Sequence, residues 1–306
     1  MTKPTLFKVG EASPANTFLA IWMAEDAGFF EANGLKLEIV IMVGGRECGP
    51  ALTEGRIDLM HIGMSSVIRA RAAGADIRTI GSLSNVIRAA LFTRPGIETP
   101  ADLKGSTIGI SSAGSESEPT TIMALERLGL SRADVTLKEI GASRLGALRD
   151  GTVSATMLGE PHRSTAIAAG MKPIVDLLAD NIPWLYSGLV VHQRFLNEHR
   201  DSALAAMRAI IEGNYLAISD PERAKTVLAR ECGISDPAIT DIAYDNFRAA
   251  TPANAEASLE GAKNNIAAVA TGTASRDIDD YVDTSIHAVL QAEGFFDSMV
   301  QKYGTP

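Results

Sequence analysis

A repeated template constrains this chain more than any other feature of its sequence. ALTEGRIDLMHIGMSS at 51–66 and ALRDGTVSATMLGEPH at 147–162 share Ala-Leu, two polar residues, a glycine, and a mostly apolar run that ends in glycine. The offset between the two segments stays at 96 positions from the first alanine (51 to 147) to the last shared glycine (63 to 159). Each copy also follows a helical pattern and an extended run, so the repeating unit is strand, helix, strand, helix, strand.

Two such units predict an α/β fold with two lobes, each a mostly parallel sheet flanked by helices. We expect residues 1–93 together with 193–306 to form lobe 1 and residues 94–192 to form lobe 2, with hinges in the extended stretches 91–100 and 186–195. Ligands of open α/β sheets bind beyond the carboxyl ends of the strands, so the template predicts a ligand cleft between the lobes. The alternative is that the shared glycines reflect coincidental loop chemistry.

The C-terminal third has a different pattern. From about residue 195 apolar residues recur at three- and four-residue spacing between proline and glycine stops, which predicts helices. We interpret one apolar stripe as core packing: Leu204, Met207, Ile210, Ile211, Tyr215 and Ile218. The helices predicted around 255–270 and 275–292 are expected to fold back onto lobe 1.

Composition narrows the partners and the compartment. The 306 residues carry a formal charge of −9 without a Lys/Arg block, which disfavours nucleic acid and anionic membranes and favours a small-molecule ligand. No apolar run is long enough for membrane insertion, and the N-terminus lacks a signal-peptide pattern. The chain is therefore cytoplasmic, or periplasmic with its leader replaced by a starter Met. The two cysteines lack metal or redox spacing, and Cys48 is interpreted as a small buried residue.

The segment GISSAGSESEPTTIMALERLGL at 109–130 predicts a strand end, a turn and a helix that starts near Ser117. Ser115 and Glu118 have capping-box spacing, and Pro119 is tolerated only near a helix start. Unpaired N–H groups at a helix start beside a glycine loop can hold a polar ligand. The alternative is an ordinary capped helix.

The chain resembles the SsuA/THI5-like (NMT1-like) family of periplasmic binding proteins, which includes sulfonate, nitrate, taurine and thiamine-precursor binders. The resemblance covers about residues 6–195, and its carriers are SPANTFLAIWMAEDAGFFEANGLKLEIV, ALTEGRIDLMHIG, AAGADIRTIGSL, TPADLKGSTIGISSAGS and LGALRDGTVSATMLGEPHRSTAIAAGMKPIVDL. It implies a type II periplasmic binding protein-like fold that closes by a hinge on a small ligand for an ABC importer, whose permease is the implied partner.

The resemblance also implies ligand-binding positions, which are Ser13, Asn16, Met64, Ser65, Ser66, Ser112, Gly114, Ser115, Glu160 and the adjacent Pro161. One departure concerns Glu116 and Glu118, which lie at the positive end of the helix dipole and are expected to repel an anion. The ligand is therefore neutral or partly cationic, or its anionic group meets Arg88 or Arg144 instead.

Four further side chains have competing interpretations. Glu160 and His162 form an acid/base pair, or a ligand-contacting carboxylate beside a solvated histidine, which we favour because no nucleophile accompanies them. Trp184 and Tyr186 either stack on a planar ligand or pack between the lobes. His61, inside an apolar run, is expected to be a hydrogen-bonded core histidine.

We predict a monomeric solute-binding protein without cofactor or metal, which captures a small polar or aromatic molecule such as a sulfonate, a carboxylate or a pyrimidine. The alternative is a cytosolic enzyme or ligand sensor on the same fold. Pyrimidine-precursor synthases of this family carry a sacrificial histidine where this chain has Ser66, and related desulfinases use a cysteine in the first strand–helix loop, which has none here. Both departures disfavour the enzyme.

Overall fold

Two five-stranded sheets form the framework of the protein, in a computed structural model that describes residues 4–12, 14–42 and 45–306. Within these residues the strands are β1 (Thr5–Glu11), β2 (Leu35–Ile41), β3 (Leu59–Ile62), β4 (Ile77–Val86), β5 (Ala90–Thr93), β6 (Thr107–Ile110), β7 (Thr136–Glu139), β8 (Ala155–Leu158), β9 (Pro173–Asp176) and β10 (Pro183–His192). The first sheet has the order β2-β1-β3-β10-β4, and the second has the order β7-β6-β8-β5-β9.

The helices lie between the strands in the first two thirds of the chain and follow one another afterwards. They are α1 (Leu19–Asp26), α2 (Phe29–Ala32), α3 (Cys48–Thr53), α4 (Met64–Ala72), α5 (Pro100–Leu103), α6 (Ser117–Arg127), α7 (Arg144–Arg149), α8 (His162–Ala168), α9 (Gln193–Glu198), α10 (Arg200–Ser219), α11 (Pro221–Cys232), α12 (Pro237–Ala250), α13 (Leu259–Val269), α14 (Ser285–Ala292) and α15 (Phe295–Tyr303). Asp220 and Asp236 cap α11 and α12, each of which begins with proline.

The predicted α/β class with two lobes, each a mostly parallel sheet flanked by helices, is confirmed, and each sheet is mixed because one of its five strands runs against the other four. In the first sheet β1 pairs in parallel with β2 and β3, whereas β10 runs antiparallel to β3 and β4. In the second sheet β6 pairs in parallel with β7 and β8, whereas β5 runs antiparallel to β8 and β9. The antiparallel strand of each sheet is the one that follows a crossing from the other sheet.

The repeat in the sequence is a repeat of backbone structure. Strands β3 and β8 begin at 59 and 155 and end at 62 and 158, an offset of 96 at both ends. Helices α3 and α7 keep the same offset, from 48 to 144 and from 53 to 149. Gly55 and Gly151 follow these helices with φ of 68° and 78°, a left-handed conformation that favours glycine.

The chain crosses between the sheets earlier than the predicted boundaries at 93/94 and 192/193. Strand β5 lies in the second sheet although it is predicted in lobe 1, and β10 is predicted in lobe 2 although the strand lies in the first sheet. The stretches proposed as hinges therefore contain sheet strands, β5 in 91–100 and β10 in 186–195. Both strands are extended in sequence and in structure, and only their hydrogen-bonded neighbours show which sheet they join.

We call the first sheet with the helices packed on it the first half of the protein, and the second sheet with its helices the second half. The C-terminal helices enlarge the core of the first half. One apolar cluster joins β1 and β4 to α1, α10, α11, α12 and α14, and a second joins the opposite face of the sheet to α3, α4 and α13. The predicted stripe on α10 is part of the first cluster, and the expected return of the last helices onto lobe 1 is confirmed. Among the described residues, none of the helices combines the length and the apolar character that crossing a bilayer requires.

Candidate functional site

Strand ends from both sheets meet at a cavity of about 180 Å³, which we call the inner cavity. The first half contributes residues 12, 14–17, 61–63 and 66, which lie at or just after the ends of β1 and β3. The second half contributes residues from 111–117, 141–144 and 157–162, after β6, β7 and β8. Arg88, from the segment between β4 and β5, and Tyr186 and Ser187 of β10 complete the wall. The cavity lies where open α/β sheets bind ligands.

Two guanidinium groups at the inner cavity have incomplete hydrogen bonding. Arg88 lies between β4 and β5 and is 8% exposed, and Arg144 is the first residue of α7. The Nε atoms of both side chains are buried, and no atom of the described residues accepts a hydrogen bond from them. Burial lowers the pKa of each guanidinium, and for Arg88 the nearby Arg163 lowers the pKa further. Since arginine stays protonated in proteins, both groups bring positive charge to the wall.

A histidine and two serines of the first half line the same cavity as these cations. His61 is hydrogen-bonded to Ser187 Oγ and packs edge-on against Phe18, with ring centroids 5.1 Å apart. Burial lowers the pKa of His61 to about 4, so the imidazole is neutral at neutral pH. Ser66 is buried, and its Oγ has no partner within the part of the chain that the structure describes. The predicted hydrogen-bonded histidine is thus observed, although it also lines the inner cavity.

The start of α6 satisfies most of its own polar groups. The hydroxyls of Ser111, Ser115 and Ser117 lie 2.7–2.9 Å from one another, and Ser115 Oγ also donates to the Ser112 carbonyl. The helix begins at Ser117 as predicted, but the predicted capping box does not form. Glu118 reaches back to the N–H of Gly114, and the Ser115 hydroxyl is used within the turn.

Glu116 connects the two halves. Its Oε1 accepts from the N–H of Ser65 at 2.7 Å, and its Oε2 accepts from Ser65 Oγ at 2.8 Å and from Trp184 Nε1 at 2.7 Å. A Cβ atom at Gly63 would lie 2.0 Å from Glu116 Cγ, so only glycine permits this approach. Burial raises the pKa of Glu116 to about 7. Donors of α4 and of the first sheet thus match the Glu116 carboxylate, and the expectation that Glu116 and Glu118 repel an anion stays a prediction.

Glu160 and His162 lie on the second-half wall but are not an acid/base pair. Glu160 Oε2 accepts from the Ser164 N–H at 3.1 Å, and Glu160 Oε1 accepts from Arg163 at 3.3 Å. His162 is half-buried rather than solvated as predicted. Burial lowers its pKa, and Arg144 and Arg149 lower the pKa further. The carboxylate is thus held by protein donors, and the imidazole stays neutral beside two arginines.

A family model described as NMT1/THI5 like matches residues 15–224, which is more than half of the chain. The chain belongs to the NMT1/THI5-like family. The riboflavin-binding protein RibY of Chloroflexus aurantiacus is 25% identical over 232 residues, which cover 72% of this chain and 66% of that protein, just under two thirds of its length. A putative aliphatic sulfonates-binding protein of Escherichia coli is 27% identical over 230 residues, 72% of this chain and 70% of its own.

Solved structures of distant relatives share the fold of this NMT1/THI5-like protein. A Bordetella bronchiseptica RB50 protein superimposes with a TM-score of 0.82 at 21% identity and covers 95% of this chain and 98% of its own. The alkanesulfonate-binding protein SsuA of Xanthomonas axonopodis pv. citri, bound to MOPS, superimposes with a TM-score of 0.69 at 20% identity, covering 82% and 86%. At these identities the likeness concerns the fold alone.

The predicted site residues of this family member fall into two groups. Seven line the inner cavity: Asn16, Ser66, Arg88, Ser115, Glu160, His162 and Tyr186. Five do not line it: Met64, Ser65, Ser112, Gly114 and Trp184. Ser13 is outside the described residues. Whether the seven contact a ligand stays a prediction.

Other contacts keep the residues of the second group out of the inner cavity. Met64 packs in the apolar cluster below β3, and Gly114 lies against Arg69 of α4. Ser65 and Trp184 bind Glu116, which makes packing between the lobes, not stacking, the observed role of Trp184. Tyr186 does line the inner cavity, and burial raises its pKa to about 12. Asn16 lines it too, although its amide donates to the Ala243 carbonyl at 2.9 Å.

Several of the residues that line the inner cavity are not among the predicted site residues. Ser187 of β10 and Thr17 of the first loop line the inner cavity, and His61 does so while bonded to Ser187. No sequence pattern marks Ser187, because β10 returns to the first sheet only after the chain has formed the second sheet. Cys48 is buried as predicted, and burial raises its pKa to about 12, which disfavours the thiolate that a nucleophile requires.

Proposed function

We propose that this protein is the solute-binding component of an ABC importer and captures a small organic anion between its two halves. The observation that carries this proposal is the pair Arg88 and Arg144, whose buried Nε atoms lack acceptors among the described residues. A buried donor on a charged group is costly without a partner, and a carboxylate or sulfonate supplies acceptors of opposite charge. The sulfonate-binding relative and the MOPS-bound structure support the same ligand class.

The acidic residues of the cleft are compatible with an anion. Glu116 is held by Ser65 and Trp184, and Glu160 is held by Ser164 and Arg163. Uncharged hydroxyl and imidazole groups of Ser66, Ser187 and His61 complete the wall. We therefore favour the anionic alternative of the sequence analysis over a neutral or cationic ligand, with Arg88 and Arg144 as the anion-binding residues and the seven cavity-lining residues as contacts.

Calorimetric titration of the full chain tests the ligand class. We compare butanoate and ethanesulfonate with their uncharged counterparts butanamide and ethanesulfonamide. Hydrogen bonds to charged groups contribute about 1.5–3 kcal/mol, so the anions should bind at least roughly tenfold more tightly. Arg88→Met should remove this preference, while Arg127→Met, at an exposed arginine of the same half, should keep it. Equal binding of charged and uncharged compounds overturns the proposal.

The importer role and the location need a different test. We propose that the natural gene product works outside the cytoplasmic membrane and delivers its ligand to a permease, as the names of its relatives suggest. Fractionation of the source cells should find the protein in the periplasm, and deletion of its gene should abolish uptake of the bound anion. Chemical conversion of a bound compound, followed by NMR, would favour the enzyme alternative instead.

A further inference from the structure

A second cavity adjoins the inner cavity. Its volume is about 410 Å³, against about 180 Å³ for the inner cavity, and we call it the outer cavity. It lies between α7 and α8 of the second half and the turn from α11 to α12 of the first half. Ala142 and His162 belong to the walls of both cavities, so the two spaces meet at these residues.

The walls of the outer cavity offer aliphatic surface to an apolar body beside two charged residues, Arg149 and Asp236, the second of which caps α12. Leu145, Ile234 and Ile239 supply aliphatic surface from three different elements. No atom of the described chain outside its neighbourhood lies within 4 Å of a Cβ built at Gly146, so α7 leaves open space there. His162 stands between the two cavities, and burial with the nearby Arg144 and Arg149 lowers its pKa and keeps it neutral. An uncharged imidazole is compatible with an apolar chain beside it.

The inner cavity alone is small for an organic ligand, because ligand pockets usually enclose about 300–1,000 Å³. Together with the outer cavity it falls within that range. We propose that the ligand is an organic anion with an elongated, mostly apolar body, whose acidic group lies at Arg88 and Arg144 and whose body passes His162 into the outer cavity. This inference rests on the proposed function, since it uses the same two arginines for the acidic group.

A chain-length series tests the inference. Acetate, butanoate, hexanoate and octanoate share one acidic group and differ only in the apolar body. Burial of a methylene contributes about 0.8 kcal/mol, so affinity should rise about three- to fourfold per methylene until the outer cavity is filled. Acetate binding without any gain along the series overturns the inference and leaves the proposed function standing. Failure of all four anions to bind contradicts the proposed function itself.

Variants that fill the outer cavity locate the body. Gly146→Trp and Ile239→Trp project into it from α7 and α12 and should weaken octanoate binding at least roughly tenfold, with acetate binding changed less than about twofold. Ile242→Trp is the matched control, because Ile242 lies on α12 but is 47% exposed and outside the cavity. If both variants still bind octanoate as much more tightly than acetate as the unaltered chain does, the inference is overturned.

A measurement on the unaltered chain guards against variants that fail to fold. Octanoate carrying a nitroxide at its methyl end should broaden the NMR methyl signals of Ile234 and Ile239. The signals of Ile57 and Ile278, which lie in the apolar cluster of α3, α4 and α13, should stay sharp. Broadening that spares Ile234 and Ile239 places the body elsewhere and overturns the inference.

Discussion

Helices α3 and α7 occupy equivalent places in the two halves, yet the residues that begin them have opposite surroundings. Cys48 begins α3 and is 0% exposed within an apolar cluster, whereas Arg144 begins α7 at the wall of the inner cavity. The backbone template is repeated because glycine turns and strand ends recur at a fixed spacing. The comparison teaches that the template fixes where a residue lies, and the side chain decides whether it packs or binds.

The segments that follow β3 and β8 show the same division. Ser66 and His162 are 96 positions apart and both line the inner cavity, one with a hydroxyl and the other with an imidazole. Met64 and Glu160 are also equivalent, but Met64 lies in the core and Glu160 binds the start of α8. The second half thus brings a cation and an acid to the cleft at positions where the first half has apolar residues.

We expect the largest effect on stability when Cys48 of the first half is replaced by arginine, the residue at the equivalent position 144 of the second half. Cys48→Arg places a guanidinium in a fully buried apolar cluster, and an unpaired buried charge costs roughly 4 kcal/mol or more. We expect the variant to be unfolded or strongly destabilised in urea titrations followed by circular dichroism. Cys48→Ala, which adds no charge, is the control. A stable Cys48→Arg variant would show that α3 and α7 are interchangeable and remove the contrast.

The reverse exchange tests the second half. Arg144→Cys removes one of the two cations and should weaken binding of butanoate about 10- to 100-fold, since hydrogen bonds to charged groups contribute about 1.5–3 kcal/mol. Unfolding should change little, because the guanidinium is not matched within the protein. Calorimetry measures the affinity and urea titration the stability. Unchanged affinity together with lost stability would make Arg144 a packing residue like Cys48.

The third prediction uses the pH dependence of stability to compare Glu116, which has hydrogen-bond donors in the first half, with the two arginines whose Nε atoms have no acceptor among the described residues. Burial raises the pKa of Glu116 from its ordinary value of 4.5 to about 7. Stability from the neutral carboxyl is therefore present below about pH 4.5 and is lost as the pH rises through about 7. Glu116→Gln does not titrate. The unfolding free energy of the wild type relative to this variant should fall by roughly 2 kcal/mol between about pH 5 and about pH 8.

Urea titrations at several pH values measure this difference for Glu116→Gln. Glu126→Gln, at an exposed carboxyl on the same helix, is the matched control variant. A flat pH profile for both variants would mean that Ser65 and Trp184 stabilise the ionised carboxylate enough to offset its burial, contrary to our expectation.

The smallest effect is expected where the halves touch at the surface. Arg46 Nη2 lies 2.7 Å from Glu139 Oε1, and the two side chains are 60% and 44% exposed. Exposed ion pairs contribute about 0–1 kcal/mol and are screened by salt. Arg46→Ala should therefore change butanoate affinity less than about threefold in calorimetry, and the change should vanish in concentrated salt. A larger effect would mean that the pair Arg46 and Glu139, and not Glu116, makes the main contact between the halves.

Much of the fold was predictable from local patterns. The constant spacing of Gly55 and Gly151 gave the strand–helix template, and the proline and glycine stops gave the C-terminal helices. The positions of the cleft loops followed, because strand ends of parallel units meet at one edge. The boundaries of the lobes did not follow, since β5 and β10 look alike as extended runs and differ only in the sheet that they join.

By itself, the sequence determined the repeated unit, the α/β class and the loops that meet at the cleft, because these depend on periodicity and on backbone conformations that glycine and proline specify locally. Only the tertiary structure decided which charges are satisfied. Glu116 finds Ser65 and Trp184 at separations of 51 and 68 residues, while the Nε of Arg144 finds no acceptor among the described residues. Hydrogen bonding depends on distances in space, and those distances exist only once the two halves have come together.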